Sequence, residues 1–191
     1  MKVLADMTHE VGRGEIQQLS NRHNPSLKVS DYFQIIQAKT SLLFAASARL
    51  GAMVQRSDEA VEQGMHLFGL HLGNGFQLID DALDYCSDSD TLGKNVGDDL
   101  ADGKATMPIL YALQEGSSVQ QQKIRKGLTK GSLDYLPDIL EAIQTTNAIE
   151  YTKTLADKEI QQAIKYLEIL PDTPYRQALT QLAQYAVTRA Y

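Results

Sequence analysis

Three acids close the segment Phe76-Gln77-Leu78-Ile79-Asp80-Asp81-Ala82-Leu83-Asp84. On a helix Asp80 and Asp84 stand four residues apart and Asp81 and Asp84 three apart, so both pairs can share one face. Carboxylates crowded in this way repel one another and weaken the helix unless a cation sits among them. A set of hard oxygen ligands favours Mg²⁺ or Ca²⁺. The acids also fall near the C-terminal end of the helix, where the macrodipole disfavours anions. Two separate penalties thus point to a divalent metal held by Asp80, Asp81 and Asp84. The bland alternative is a solvated acidic face; the glycine-rich helix before these acids and the lysines after them weigh against it.

Those lysines, Lys94 and Lys104, stand in Gly93-Lys94-Asn95-Val96-Gly97-Asp98-Asp99-Leu100 and Gly103-Lys104-Ala105-Thr106-Met107-Pro108. Each follows a glycine, which lets the backbone approach a ligand closely, and lysine is a compact point charge suited to phosphate. Acids that hold Mg²⁺ with lysines nearby make a diphosphate site. The spacing alone weighs evenly between that and a solvated loop. Upstream, Lys39-Thr40 interrupts an apolar helical stretch between Ile36 and Leu42. Lys39 either snorkels to solvent or points at a phosphate oxygen, with Thr40 adding a hydroxyl. Glu15 and Gln18, three apart in Gly14-Glu15-Ile16-Gln17-Gln18, mean little alone. His66 and His71 are five apart, poor ligand spacing on a helix, and read as packing or surface residues. Neither Gly-x-Ser-x-Gly, a Walker sequence nor a dinucleotide fingerprint occurs.

Helical periodicity dominates the elements that must position these residues, and no stretch reads as a convincing strand. Val3, Leu4, Met7, Val11 and Ile16 keep helical spacing from an uncapped start, and Asn21 to Pro25 is a turn. Ser30-Asp31 caps a helix carrying Tyr32, Ile35, Ile36, Lys39, Leu42, Leu43, Ala46 and Leu50. Ser57-Asp58-Glu59 opens another, running through Tyr85, with Gly64, Gly69, Gly73 and Gly75 inside it. Each interior glycine costs about 1 kcal/mol against alanine, so four in one helix mark close approach of a second helix or of a ligand. Cys86 to Lys104 is polar, without a hydrophobic period, and too long for a simple connector. Helices then fit Met107–Leu113, Val119–Gly127, Leu133–Thr145, Ile149–Leu170 and Pro174–Tyr191, the last behind a Thr173-Pro174 start. One all-α domain over residues 1–191 is the economical reading.

Composition fits it: 191 residues, 43% apolar, 22% charged, one cysteine. The net charge of −6 argues against a nucleic-acid partner, which needs a basic face. Cys86 alone allows no internal disulfide and suits a reducing compartment. No apolar run approaches a transmembrane span, and Met1 to Asp6 does not read as a signal peptide, so a cytoplasmic protein is expected.

These pieces, in this order, resemble the trans-isoprenyl (polyprenyl) diphosphate synthases, and within them the bacterial octaprenyl diphosphate synthases. The resemblance rests on Gly14-Glu15-x-x-Gln18, Lys39-Thr40, Phe76-Gln77-x-x-Asp80-Asp81-x-x-Asp84, Gly93-Lys94-x-x-Gly97-x-Asp99, Gly103-Lys104-x-Thr106-x-Pro108 and Leu170-Pro171-Asp172-Thr173-Pro174. It covers essentially the whole chain. It implies an isoprenoid-synthase-type helical bundle around a central cavity, usually a homodimer. The implied reaction condenses isopentenyl diphosphate with an allylic diphosphate such as farnesyl diphosphate, giving long all-trans polyprenyl diphosphates for quinone side chains. Asp80, Asp81 and Asp84 match the family's second aspartate-rich motif, which helps hold Mg²⁺ on the allylic diphosphate. Lys39, Thr40, Phe76, Gln77, Lys94 and Lys104 match substrate-contacting positions, with Lys39 and Lys94 closest to the chemistry.

The family has two aspartate-rich motifs, and only the second is present here. The first, with its following arginine pair and several isopentenyl diphosphate ligands, normally lies upstream. Ala105 stands where proline is common in relatives. The expectation is a C-terminal portion whose N-terminal helices are missing, with apolar faces left open and activity that depends on a missing half. A non-catalytic subunit that binds a prenyl synthase partner is the competing reading. A terpene cyclase of related fold and a plain divalent-metal binder are weaker ones. Product length is not legible.

Overall fold

The computed structural model describes residues 2–86 and 96–188. Among these, every regular element is helical, as the periodicity predicts: α1 (Lys2–Ser20), α2 (Val29–Ile36), α3 (Leu42–Val54), α4 (Glu59–Leu83), α5 (Asp98–Ala101), α6 (Met107–Glu115), α7 (Ser118–Lys130), α8 (Leu136–Thr145), α9 (Ala148–Tyr166) and α10 (Pro174–Thr188). Single 3₁₀ turns precede α8 and follow α9. No described helix is long and apolar enough to cross a membrane.

The start and stop signals act as their chemistry requires. Asp58 accepts the Val61 N–H at 2.9 Å and opens α4. Ser117 and Gln120 form a reciprocal capping box at α7, and Gly131, at φ 59°, closes that helix in the left-handed conformation. Thr173 accepts the Arg176 N–H at 3.3 Å ahead of α10. One expectation fails in detail. The run from Tyr32 to Leu50 is not one α-helix: Gln37–Ser41 forms a π-helical turn between α2 and α3, with the Leu42 N–H reaching back five residues to the Gln37 carbonyl. Such turns are rare and concentrate at functional sites.

By its internal contacts the chain divides into two compact units. The first comprises Met1–Ile16, Gln34–Gln77 and Leu155–Tyr191; the second comprises Gln17–Phe33 and Leu78–Thr154. The core of the first gathers Ala52 of α3, Met65, Phe68 and Leu72 of α4, Ile160 of α9 and Ala183 of α10. Two α4 glycines make that packing possible. A methyl group on Gly69 would overlap the Phe44 carbonyl oxygen, and one on Gly73 would lie 2.5 Å from the Ser41 Cα. Gly64 and Gly75 face Ile169 and Ile160 in the same way. All four glycines therefore serve the approach of other helical segments, which decides between the two alternatives that the sequence leaves open. In the second unit Leu100, Met107, Ile109, Ile124, Leu128 and Ile139 are fully buried, and α7 packs on both α6 and α8.

Gly69→Ala and Gly73→Ala are each expected to lower stability by about 1–3 kcal/mol through overpacking. In Gly51→Ala the added methyl group meets nothing within 4 Å, so that variant should match or exceed the parent. Urea midpoints measure this; equal midpoints for all three would refute the close approach.

Candidate functional site

The candidate residues fall into two constellations, one in each unit. In the first unit, Gly14 of α1 lies so close to the π turn that a Cβ there would sit 2.8 Å from Ala38 Cβ and 2.9 Å from the Lys39 amide nitrogen. That contact sets Glu15 beside Lys39, whose Nζ is 3.0 Å from Glu15 Oε1. The next residue of the turn, Thr40, donates its hydroxyl to Gln77 Oε1 on α4 at 2.9 Å. The neighbouring Phe76 ring tilts against Phe44 at 5.4 Å. Three sequence elements, Gly-Glu, Lys-Thr and Phe-Gln, thus converge, and Glu15, which means little in the sequence, has Lys39 as its ion-pair partner. Lys39 keeps about a third of its side chain exposed, at 35%.

In the second unit the acids end α4. Asp81 is 3% exposed and accepts the Tyr32 hydroxyl at 2.6 Å. Burial, and then the Asp81 charge, push the Tyr32 hydroxyl pKa well above its ordinary value, so the phenol stays a donor. Asp80 and Asp84 are half-buried. Asp84 lies one residue past the helix, and its N–H still bonds to the Asp80 carbonyl at 3.2 Å. The segment around α5 folds back onto it. The Asp84 carbonyl accepts the Gly97 N–H at 2.9 Å, and its carboxylate accepts the Asp99 N–H at 3.1 Å. Gly97 adopts φ 87°, which a side chain would strain.

Asp99 then joins the acids to the second glycine-lysine element. Its carbonyl accepts the Lys104 N–H at 2.8 Å and its carboxylate meets Lys104 Nζ at 3.1 Å. Asp102 holds the same ammonium at 2.7 Å. Burial works against the Lys104 charge, but the hydrogen bonds to Asp102 and Asp99 and their charges overcome it and raise the lysine pKa. The Asp84 pKa also rises, which for a carboxyl favours the neutral form. Burial first, and then the neighbouring charge of Asp99, raise it to about 6, although the Asp99 N–H opposes the shift. Lys94 lies outside the described residues.

His23 is a structural residue that no local signal announces. It adopts φ 59°, its N–H donates to the Gly103 carbonyl at 2.7 Å, and its ring Nδ1–H donates to the Leu128 carbonyl at 2.9 Å. The ring lies flush on Gly103 and Gly131, where neither glycine has room for a methyl group. The turn before Lys104 is thereby clamped.

Among the described residues no three acid, imidazole or thiol groups form a ready-made metal cage. That does not count against Mg²⁺, which keeps several waters and is held by one or two carboxylates together with substrate phosphates. The donor set fits: Asp80, Asp81 and Asp84 offer hard oxygens, and the Asp99 charge that adds to burial in raising the Asp84 pKa is one that a divalent cation would offset.

The sequence profile of the polyprenyl synthetase family matches residues 1–146. The chain belongs to that family. It is 40% identical over 190 residues to the octaprenyl diphosphate synthase of Escherichia coli K12, a match that covers 99% of this chain and 59% of the relative. Among solved structures it is similar to a decaprenyl diphosphate synthase from Rhodobacter capsulatus, with a TM-score of 0.92, 32% identity, and coverage of 100% of this chain and 59% of that one. A polyprenyl synthase from Caulobacter crescentus, complexed with calcium and isoprenyl diphosphate, superposes with a TM-score of 0.93 at 35% identity, over 100% of this chain and 58% of that one. The fold expectation is met. The chain spans about three fifths of the length of the polyprenyl synthetases it matches, 59% in the octaprenyl case.

The Asp84 shift has a signed consequence for the metal-free chain. Between 3.8 and about 6 the folded state keeps a proton that the unfolded state releases. The stabilisation is present below 3.8 and lost as pH rises through about 6. In chelator, Asp84→Asn should therefore gain on the parent in urea melts as pH is raised from about 4 to about 7. A difference independent of pH would refute the raised carboxyl.

Proposed function

We propose that this chain carries the metal- and diphosphate-binding part of a trans-prenyltransferase that condenses isopentenyl diphosphate with an allylic diphosphate. The product class is a long-chain all-trans polyprenyl diphosphate, and the octaprenyl relative supports a chain of that order, for a quinone side chain. The observation that carries the reading is the link Asp84–Asp99–Lys104: an acid pushed towards neutrality beside an ammonium held in place by two carboxylates. A polyanion with bound cations satisfies both partners, and a diphosphate is such a ligand.

The chemistry then follows from charge. Breaking the allylic C–O bond leaves negative charge on the departing diphosphate and positive charge on the allyl group. Asp80, Asp81 and Asp84 would hold Mg²⁺, whose charge stabilises the leaving diphosphate when bound. Lys104 donates to diphosphate oxygens from a fixed position, and fixed donors cost no reorganisation at the moment of bond cleavage. Lys39, Thr40 and Gln77 offer a cation, a hydroxyl and an amide for substrate contact, and Lys94 offers a further cation. The double bond of isopentenyl diphosphate attacks the allylic carbon, and the proton lost afterwards goes to the released diphosphate, so no dedicated protein base is needed. The first aspartate motif and the rest of the isopentenyl diphosphate site belong, on this reading, to the upstream part that the longer relatives possess. The whole enzyme works as a homodimer in the cytoplasm.

By calorimetry the chain is expected to bind inorganic diphosphate only with Mg²⁺ or Ca²⁺ present. Asp81→Ala and Lys104→Ala should each weaken binding about tenfold or more, the cost of one charge-assisted contact. Joined to the upstream region of a matching synthase, the chain should elongate farnesyl diphosphate with isopentenyl diphosphate. Metal binding that ignores diphosphate would sink the prenyltransferase reading and leave a simple cation binder.

A further inference from the structure

The π turn that carries Lys39 and Thr40 is held from behind by a chain of polar side chains. Ser41, the last residue of the turn, is fully buried, and its hydroxyl donates to Asn74 Oδ1 at 2.6 Å. Asn74, 2% exposed on α4, donates its amide to Glu159 Oε2 at 2.9 Å. Glu159 of α9 also accepts from His71 Nδ1 at 2.7 Å, and the His71 ring stacks on Tyr166 at 5.5 Å. A carboxylate only accepts, so the His71 Nδ1 carries a proton in this arrangement.

Burying polar groups costs free energy that apolar side chains of the same size would not, and hydrogen bonding at best recovers it. What such a chain supplies is direction: each bond fixes an angle as well as a distance. A π turn needs that. Relaxing it to α-helix would rotate everything before it by about 100° relative to α3, one residue's worth of helix. Lys39 and Thr40 would then leave Glu15 and Gln77. The Ile36 carbonyl lies 3.4 Å from the Ser41 hydroxyl, whose one proton goes to the shorter bond with Asn74, so the tie to α4 is the one that holds the turn. Burial alone would raise the Glu159 pKa, but the hydrogen bonds from His71 and Asn74 win and lower it, which keeps the carboxylate ionised as the anchor.

We infer that Asn74 and Glu159 are positioning residues for diphosphate recognition: through Ser41 they hold the π turn in the register that presents Lys39 and Thr40. The diphosphate part of this inference rests on the function proposed above, whereas the positioning part can be read without any ligand.

The test uses the whole 191-residue chain. Asn74→Asp sets two carboxylates against each other, and Asn74→Asp/Glu159→Gln reverses the donor and acceptor and restores the bond. Ser41→Ala removes one buried hydroxyl with the least change in volume and serves if Asn74→Asp does not fold. Amide exchange by NMR at Ala38 to Leu42 should quicken about tenfold in Ser41→Ala and Asn74→Asp while α10 amides hold their rates. The double variant should return the turn to parental rates. Magnesium diphosphate should bind about tenfold more weakly to Ser41→Ala and Asn74→Asp, and normally to the double variant. Parental exchange in the single variants, or no rescue in the double, overturns the positioning role. Lys39→Ala separates the two readings: if it binds magnesium diphosphate as the parent does, Lys39 has no part in diphosphate recognition and that half of the inference fails, whatever the exchange rates show.

Discussion

Backbone contact along one helix governs the first constellation. Gly69 and Gly73 give α4 a face without side chains, and the π turn and the start of α3 lie directly against it. Only at that separation can a side chain as short as threonine reach Gln77, and only there can Ser41 reach Asn74. Gln77 stands on the same helix, so the acceptor of the Thr40 hydroxyl is carried by a rigid element. Placing functional groups on a helix in this way gives more precise geometry than placing them on loops.

The acids illustrate the opposite principle, in which instability is tolerated for use. Negative charge gathers at the end of a helix that already disfavours it, and the fold relieves it only in part. Tyr32 donates to Asp81 and the Asp99 amide donates to Asp84, yet Asp84 remains shifted towards its neutral form. Lys104 is held instead by Asp99 and Asp102.

The legible parts were those with local signatures. Helical periodicity marked nearly every element, Thr173 and Ser57-Asp58 marked helix starts, and the aspartate spacing marked the candidate metal site. The α4 glycines were visible as an anomaly, although only packing shows that they face helices. The π turn was not legible, because Gln37 to Ser41 has the composition of an ordinary helix and the extra residue in the turn comes from long-range contacts. His23, Asn74 and Glu159 were hidden for a related reason: each acts on a partner far along the chain, as Glu159 does on Asn74 across 85 residues, and no spacing rule reports such pairs. Lys94 stays a reading of the sequence.

The ring of His23 fills the room that side chains at two glycines would need. In the course of divergence these three positions cannot drift independently. A methyl group at Gly103 or Gly131 becomes tolerable only after the imidazole has been replaced by something smaller, and that replacement gives up the bond to the Leu128 carbonyl. Both glycines also sit at positive φ, 69° and 59°, so a second barrier stands behind the first. The turn before Lys104 is thus an evolutionary ratchet: once the histidine is in place, every single-step exit passes through a less stable protein.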